Sequence, residues 1–301
     1  MASFCLASVA LPLRSLTIVH LKGLYADLRR CGRNDGAPLA PKKVLNVHQI
    51  LRTALGDAER QGLVARNLAR LMDPPCHGIA PEQLCWNEGQ LARFLETAMS
   101  HRLGTALWLS AMTGMRRGEV LGIRWNDVDL DARRLSVRRS VTCTGYQVHI
   151  TPTKTRTSRR TVDLDPRTVN VLAEWRAAQD RELGERDTIG TVFTRPTGQP
   201  VHPHVLSQTF NRLQRTAGVP RIRLHDLRHT HATLLLKAGV PLKVVSERLG
   251  HSTPAFTMAV YQHVLPGMQR DAADMFARMI GDAVTDVGSP AEPFVVPVDA
   301  R

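Results

Sequence analysis

The run Leu224–Val264, LHDLRHTHATLLLKAGVPLKVVSERLGHSTPAFTMAVYQHV, decides how the rest of the chain is read. Its apolar residues recur at helical spacing, and Gly239, Pro241 and Gly250 punctuate it. The pattern predicts helices over 225–238, 241–249 and 254–262. His225 and Arg228 share a helix face at i, i+3. Gly250 suits the left-handed residue that ends a helix, so His251 projects from a helix junction. Tyr261 follows ten residues later. A guanidinium, two imidazoles and a phenol are much of what a protein needs to attack a phosphodiester without a metal. Other readings compete at this point. His225 and His229 at i, i+4 have the spacing of a zinc pair, although Asp226 stands where H-E-x-x-H proteases carry glutamate and Arg228 would oppose a cation. A tyrosine on an apolar helix is ordinarily core. The helix pair 241–249 and 254–262 could imitate a helix-turn-helix.

The charge balance points outward from this run to a partner. Across 301 residues, 40 Lys+Arg stand against 27 Asp+Glu, a net charge of +13. Such a balance favours a polyanion, nucleic acid first and an anionic membrane surface second. No stretch reaches the roughly 18 apolar residues of a spanning helix. Cys5, Cys31, Cys76, Cys85 and Cys143 are scattered and form no C-x-x-C, which argues against a zinc site or a disulfide framework and for a reducing, cytoplasmic setting. The opening MASFCLASVALPLRSLTIVHL is apolar but lacks a basic leader, and Pro12 and Arg14 interrupt it, so it does not read as a signal peptide.

Upstream, the pattern predicts helices over 21–30 and 44–62, a linker around Pro74–Pro81, and a first domain boundary near residue 80. Asn87 and Gln90 stand as N-cap and N3 of the next helix. Leu103–Met112 reads as a buried helix ended around Gly114, and 116–123 as a short one. Period-two patterning then suggests a strand through Leu135, Val137 and Val141, a turn at Thr144–Gly145, a second strand through Val148 and Ile150, and a third over 161–164. Helical patterning resumes over 166–183, 205–217 and, after the opening run, 266–280. Residues 282–301 read as a flexible tail. The fold class is mainly α with a small antiparallel β-sheet.

Two further clusters carry chemistry. In Thr113–Glu119, TGMRRGE, a glycine turn opens a helix and aims Arg116 outward, with Glu119 one turn on to hold the guanidinium. By itself this is also an ordinary surface ion pair. In Pro152–Arg160, PTKTRTSRR, Lys154 lies in the loop between the second and third strands, placed as at a hairpin tip, and could deliver a proton. The bland reading is a solvated basic loop making phosphate contacts.

Taken together, the boxes T-G-x-R-x-x-E, K-T-x-x-S-x-R, H-x-x-R, L-G-H and the tyrosine beyond resemble, in order along the chain, the tyrosine recombinases, the phage-integrase family. The resemblance covers about 85–281. It implies a catalytic domain over 81–281, with Arg116, Lys154, His225, Arg228, His251 and Tyr261 as catalytic residues and Glu119 in support. Arg156, Arg159 and Arg160 read as backbone contacts that position the duplex. The implied activity is site-specific recombination of double-stranded DNA through a 3′-phosphotyrosyl intermediate, with no metal and no cofactor. Within a first domain of 1–80, residues 21–80 resemble only the second half of the family's helical core-binding domain, so a truncated or frameshifted 5′ end or a misassigned start is expected, and an inactive DNA-binding remnant is the alternative. A type IB topoisomerase-like enzyme would share the chemistry, and a helix-turn-helix regulator would need fewer of the boxes. Met268, Ala272, Met275, Phe276 and Met279 line one face of the last predicted helix. The resemblance implies that this face docks on a neighbouring protomer, giving a homo-oligomer on DNA, a tetramer at synapsis, with a directionality factor as a possible further partner and no membrane association.

Overall fold

A computed structural model describes residues 11–75, 84–153, 159–184, 190–250 and 273–278. The chain divides into two compact units, Met1–Glu82 and Gln83–Arg301.

The first unit is helical. Helix α1 spans Ile18–Cys31 and α2 spans Pro41–Arg60, followed by a 3-10 turn over Leu68–Leu71. Thr17 caps α1 by accepting from the His20 amide, and Pro41 opens α2 at a position where its missing N–H costs nothing. Leu21, Tyr25 and Leu28 recur at i, i+4, i+7, so one face of α1 buries against Val44 and Leu55 of α2 and Ala69. His48, buried in that interface, bonds the Tyr25 hydroxyl at 3.0 Å, which satisfies both polar groups.

The second unit is α+β. Its helices are α3 (Glu88–Met99), α4 (Gly104–Thr113), α5 (Arg117–Leu121), α6 (Pro166–Leu183), α7 (Pro203–Thr216), α8 (Asp226–Lys237) and α9 (Leu242–Leu249). Asn87 and Gln90 form the expected reciprocal cap of α3. Helix α4 is apolar all round and buried along nearly its whole length, so it lies at the centre, packed by α3, α6 and α8. Trp86, Phe94 and Phe210 stack beside it, ring centroids 4.9–5.7 Å apart.

The β-structure differs from the sequence expectation. Among the described residues there are five strands: β1 (Val128–Asp129), β2 (Arg134–Val137), β3 (Arg139–Thr144), β4 (Gln147–Pro152) and β5 (Arg160–Asp163). The single strand expected through Leu135–Val141 breaks at Arg138. Its first half joins a sheet of order β1-β2-β5 and its second half, among the described residues, pairs with β4 in a separate two-stranded sheet. Strand β5 therefore pairs antiparallel with β2, Leu135 opposite Val162 and Val137 opposite Arg160, not with β4. Strands β4 and β5 thus belong to different sheets and form no hairpin with each other, and Lys154, between them in sequence, lies outside the described residues. Period-two patterning reports which face a residue takes but not which strand it pairs with, and Val141 kept that period across the break.

The predicted helix over 254–262 and the tail from 282 lie outside the described residues. Within the predicted 266–280, residues 273–278 are helical, and Met275 and Phe276 are exposed. No helix among the described residues is long and apolar enough to cross a membrane.

Candidate active site

Helix α4 ends at Gly114, whose φ of +64° is the left-handed conformation that stops a helix without strain only for glycine. The chain reverses there into Arg116, the N-cap of α5. Glu119, in the first turn of α5, accepts from the Arg116 amide at 2.9 Å through Oε2 and from its Nη1 at 2.7 Å through Oε1. The arginine is thus held at both its backbone and its fork. Its side chain stays 40 % exposed while that of Glu119 is 4 % exposed, so a fixed cation is presented from a buried anion.

Glu119 also takes a second arginine. Arg160, the first residue of β5, donates from Nη2 to Oε2 at 2.9 Å and from Nη1 to Oε1 at 3.3 Å, and its side chain is 7 % exposed. Burial by itself would favour the protonated acid. The hydrogen bond and charge of Arg160, then the amide and charge of Arg116, outweigh it and hold the Glu119 carboxyl below its ordinary range. The sequence reading has Arg160 contact the duplex backbone; in the structure its guanidinium points inward, onto a carboxylate. The signal was present in the sequence, because Arg160 and the buried Val162 are two apart in one strand and face the same side. Arg159 alternates outward and is exposed, beside an open groove of about 530 Å³ lined also by Arg138 and Arg139.

Arg228 comes from α8. It is 3 % exposed, and its Nη1 donates to the Gly114 carbonyl at 2.9 Å. His225 is the N-cap of α8, its ring edge-on to that of His229 at 5.2 Å. Partial burial and the Arg228 charge push the His225 imidazole below its ordinary value against the pull of Asp226, so it is neutral at pH 7. Asp226 fixes the start of α8 by accepting from the Arg223 amide at 2.7 Å and its Nη2 at 2.8 Å.

Helix α9 ends at Gly250, φ +69°, as the sequence predicts. Its last turn carries Arg248, which the sequence reading passed over. That guanidinium donates to His231 Nε2 at 3.2 Å, to the Asp163 carbonyl at 3.1 Å and to the Met112 carbonyl at 3.1 Å. It joins α9 to β5, α4 and α8. Burial and the Arg248 charge hold His231 neutral, its pKa lowered to about 3.

The structure therefore brings together Arg116, Glu119, Arg160, His225 and Arg228 from three chain segments. Lys154, Arg156, His251 and Tyr261 lie outside the described residues. Among the described residues no cluster of three or more His, Cys, Asp or Glu is placed to hold a metal ion.

Known proteins resemble this chain in sequence and in fold. The model of the phage integrase family matches residues 87–267. A tyrosine recombinase XerC-like protein of Caldanaerobacter subterraneus subsp. tengcongensis is 30 % identical over 277 residues, covering 85 % of this chain and 69 % of that protein. The ICEBs1 integrase of Bacillus subtilis is 28 % identical over 247 residues, 78 % of this chain and 65 % of its own length. Among solved structures, the Tn1549 transposon integrase in complex with transposon right end DNA superposes with a TM-score of 0.73 at 20 % identity, over 89 % of this chain and 87 % of that one. The chain belongs to the phage integrase family, the tyrosine recombinases.

Proposed function

We propose that this chain cleaves and rejoins double-stranded DNA at specific sites, with Tyr261 as nucleophile and Arg116, Lys154, His225, Arg228 and His251 around the scissile phosphate. The observation that carries the reading is the convergence at one turn of two arginines far apart in sequence. Arg116 leaves the Gly114 turn, and Arg228 is tied to the carbonyl of that turn. Two guanidinium groups held in this way suit the nonbridging oxygens, which gain charge as a phosphodiester is attacked. The groups are set before substrate arrives, so little reorganisation is needed at the moment of reaction.

The chemistry balances without an external cofactor. The Tyr261 phenol, with an ordinary pKa of about 10, gives its proton to the neutral His225 imidazole as its oxygen bonds to phosphorus. The bond from phosphorus to the 5′-oxygen breaks, and that oxygen leaves as a hydroxyl by taking a proton from Lys154. The product is a 3′-phosphotyrosyl ester and a free 5′-hydroxyl. Attack by a 5′-hydroxyl of another strand reverses the step and releases the tyrosine, so strand exchange needs no ATP. His251 would add a hydrogen bond to a nonbridging oxygen.

Residues 1–80 are read as a helical DNA-binding unit, 81–281 as the catalytic domain and 282–301 as a tail. Exposed Arg159, with Arg156, would contact the duplex backbone, and the net charge of +13 supports a polyanionic partner. Assembly as a homo-oligomer on DNA, a tetramer at synapsis, and a cytoplasmic setting complete the proposal.

The test is covalent trapping. Nicked suicide duplexes bearing the target site should give a protein–DNA adduct that survives denaturation and is lost in Tyr261→Phe. No adduct on any such duplex would leave a DNA-binding remnant, and an adduct surviving Tyr261→Phe would remove Tyr261 as the nucleophile.

A further inference from the structure

Arg160 is placed where a phosphate contact would be expected from its basic surroundings, yet its three guanidinium nitrogens bond two protein groups. Two of its nitrogens lie on the Glu119 carboxylate. Its Nε donates to the Arg248 carbonyl at 2.7 Å, one of the carbonyls a helix end leaves without an intrahelical partner. Arg116 reaches the same helix end, its Nη2 donating to the Gly250 carbonyl at 3.3 Å. Glu119 therefore bridges two arginines, and both arginines grip the last turn of α9. Space is shaped to match: a Cβ at Gly250 would stand 2.8 Å from Arg160 Nη1.

We infer that Arg160 is a positioning residue for Arg116: by sharing the Glu119 carboxylate and anchoring the α9 C-terminus, it sets the direction in which the Arg116 guanidinium meets a phosphate. Remove Arg160 and Glu119 keeps one cation where it was built for two. The carboxylate is then free to turn toward Arg116 alone, and the α9 end loses one of the bonds that tie it to β5. Lysine would not replace it, because a single ammonium cannot take both carboxylate oxygens and a carbonyl in one plane. This inference rests on the recombinase reading of the same site.

Three measurements on the full chain, with Arg160→Ala and Arg160→Lys, test it. Adduct formation at saturating nicked duplex should fall roughly 10- to 100-fold in both, the loss that a small misplacement of a catalytic group produces. The salt dependence of duplex binding should keep its slope, since no phosphate contact is removed. On a duplex whose scissile phosphate is replaced by an uncharged methylphosphonate, the gap between the variants and the unaltered chain should narrow, because less charge is left to clamp. Unchanged adduct formation with a salt slope reduced by about one would make Arg160 a phosphate contact and overturn the inference. An equal defect on phosphate and methylphosphonate would make it a general structural strut and also overturn it. Should Arg160→Ala fail to melt cooperatively, Arg160→Lys, which keeps the buried charge, carries the comparison. No adduct from the unaltered chain would defeat the recombinase reading, and the positioning role with it.

Discussion

The Arg228 guanidinium donates to the Gly114 carbonyl at 2.9 Å, joining the start of α8 to the end of α4 across 114 residues of sequence. One arginine of the site is thereby held by the turn that launches the other. Gly114 is the hinge of this arrangement, since its left-handed backbone aims its carbonyl at Arg228 and its next residues into α5.

Gly114→Ala should accordingly harm both stability and activity. The left-handed φ penalises a side chain, and the new Cβ would stand 2.6 Å from Leu249 Cδ2 and 2.8 Å from His231 Cδ2. Backbone strain and overpacking together cost about 2–4 kcal/mol. Urea unfolding should show the lowered midpoint, and adduct formation at a temperature where the variant is folded should still fall. A midpoint equal to that of the unaltered protein would mean that the turn relaxes freely.

The adjacent arginines 116 and 117 should separate sharply. Arg117 is exposed and donates to Ser207 Oγ at 2.7 Å on the surface. Arg117→Ala should change stability by no more than about 0.5 kcal/mol and leave the cleavage rate at saturating duplex near that of the unaltered chain. Arg116→Ala should lower that rate roughly 100- to 1000-fold, as loss of one preorganised charge donor does. Single-turnover kinetics of both variants decide it, and equal losses would dissolve the distinction.

Stability should fall with acid, driven by two histidines. His229 is lowered to about 4 by burial and then by the His225 and Arg228 charges, and His231 to about 3 by burial and the Arg248 charge. Each is depressed in the folded chain, so the unfolded chain binds more protons below an ordinary pKa of about 6.5. Their contribution is whole above pH 6.5 and is lost as pH falls toward 4 and below, by about 1.4 kcal/mol per unit for each group. Denaturant titrations at pH 7, 6 and 5 should trace that decline, and His231→Gln should make it shallower. An identical slope in the variant would show that His231 takes up its proton without penalty.

Legibility of the site in the sequence varied with how local its geometry is. Arg116 and Glu119 lie three apart at a helix start, and His225 and Arg228 three apart on another, so helical period alone places each pair. The glycines at 114 and 250 announced their turns because no other residue adopts that backbone cheaply. Arg160 reads as a duplex contact because its neighbours are basic, and only its distance of two from Val162 hints at the inward face. Arg248 gave less warning still, since an arginine in a last helical turn is common and its three partners come from residues 112, 163 and 231.

The sequence by itself determined the order of the boxes, the helical elements that carry them and the family to which the chain belongs. These depend on local period, capping and residue spacing, which survive without knowledge of the fold. Only the tertiary structure decided that β5 pairs with β2, that Arg160 turns inward to share Glu119 with Arg116, and that Arg228 meets the Gly114 turn. Strand partners and buried ion pairs are set by packing between distant segments. A charged side chain is drawn inward only where the folded chain brings it an opposite charge and enough hydrogen bonds to offset its lost hydration.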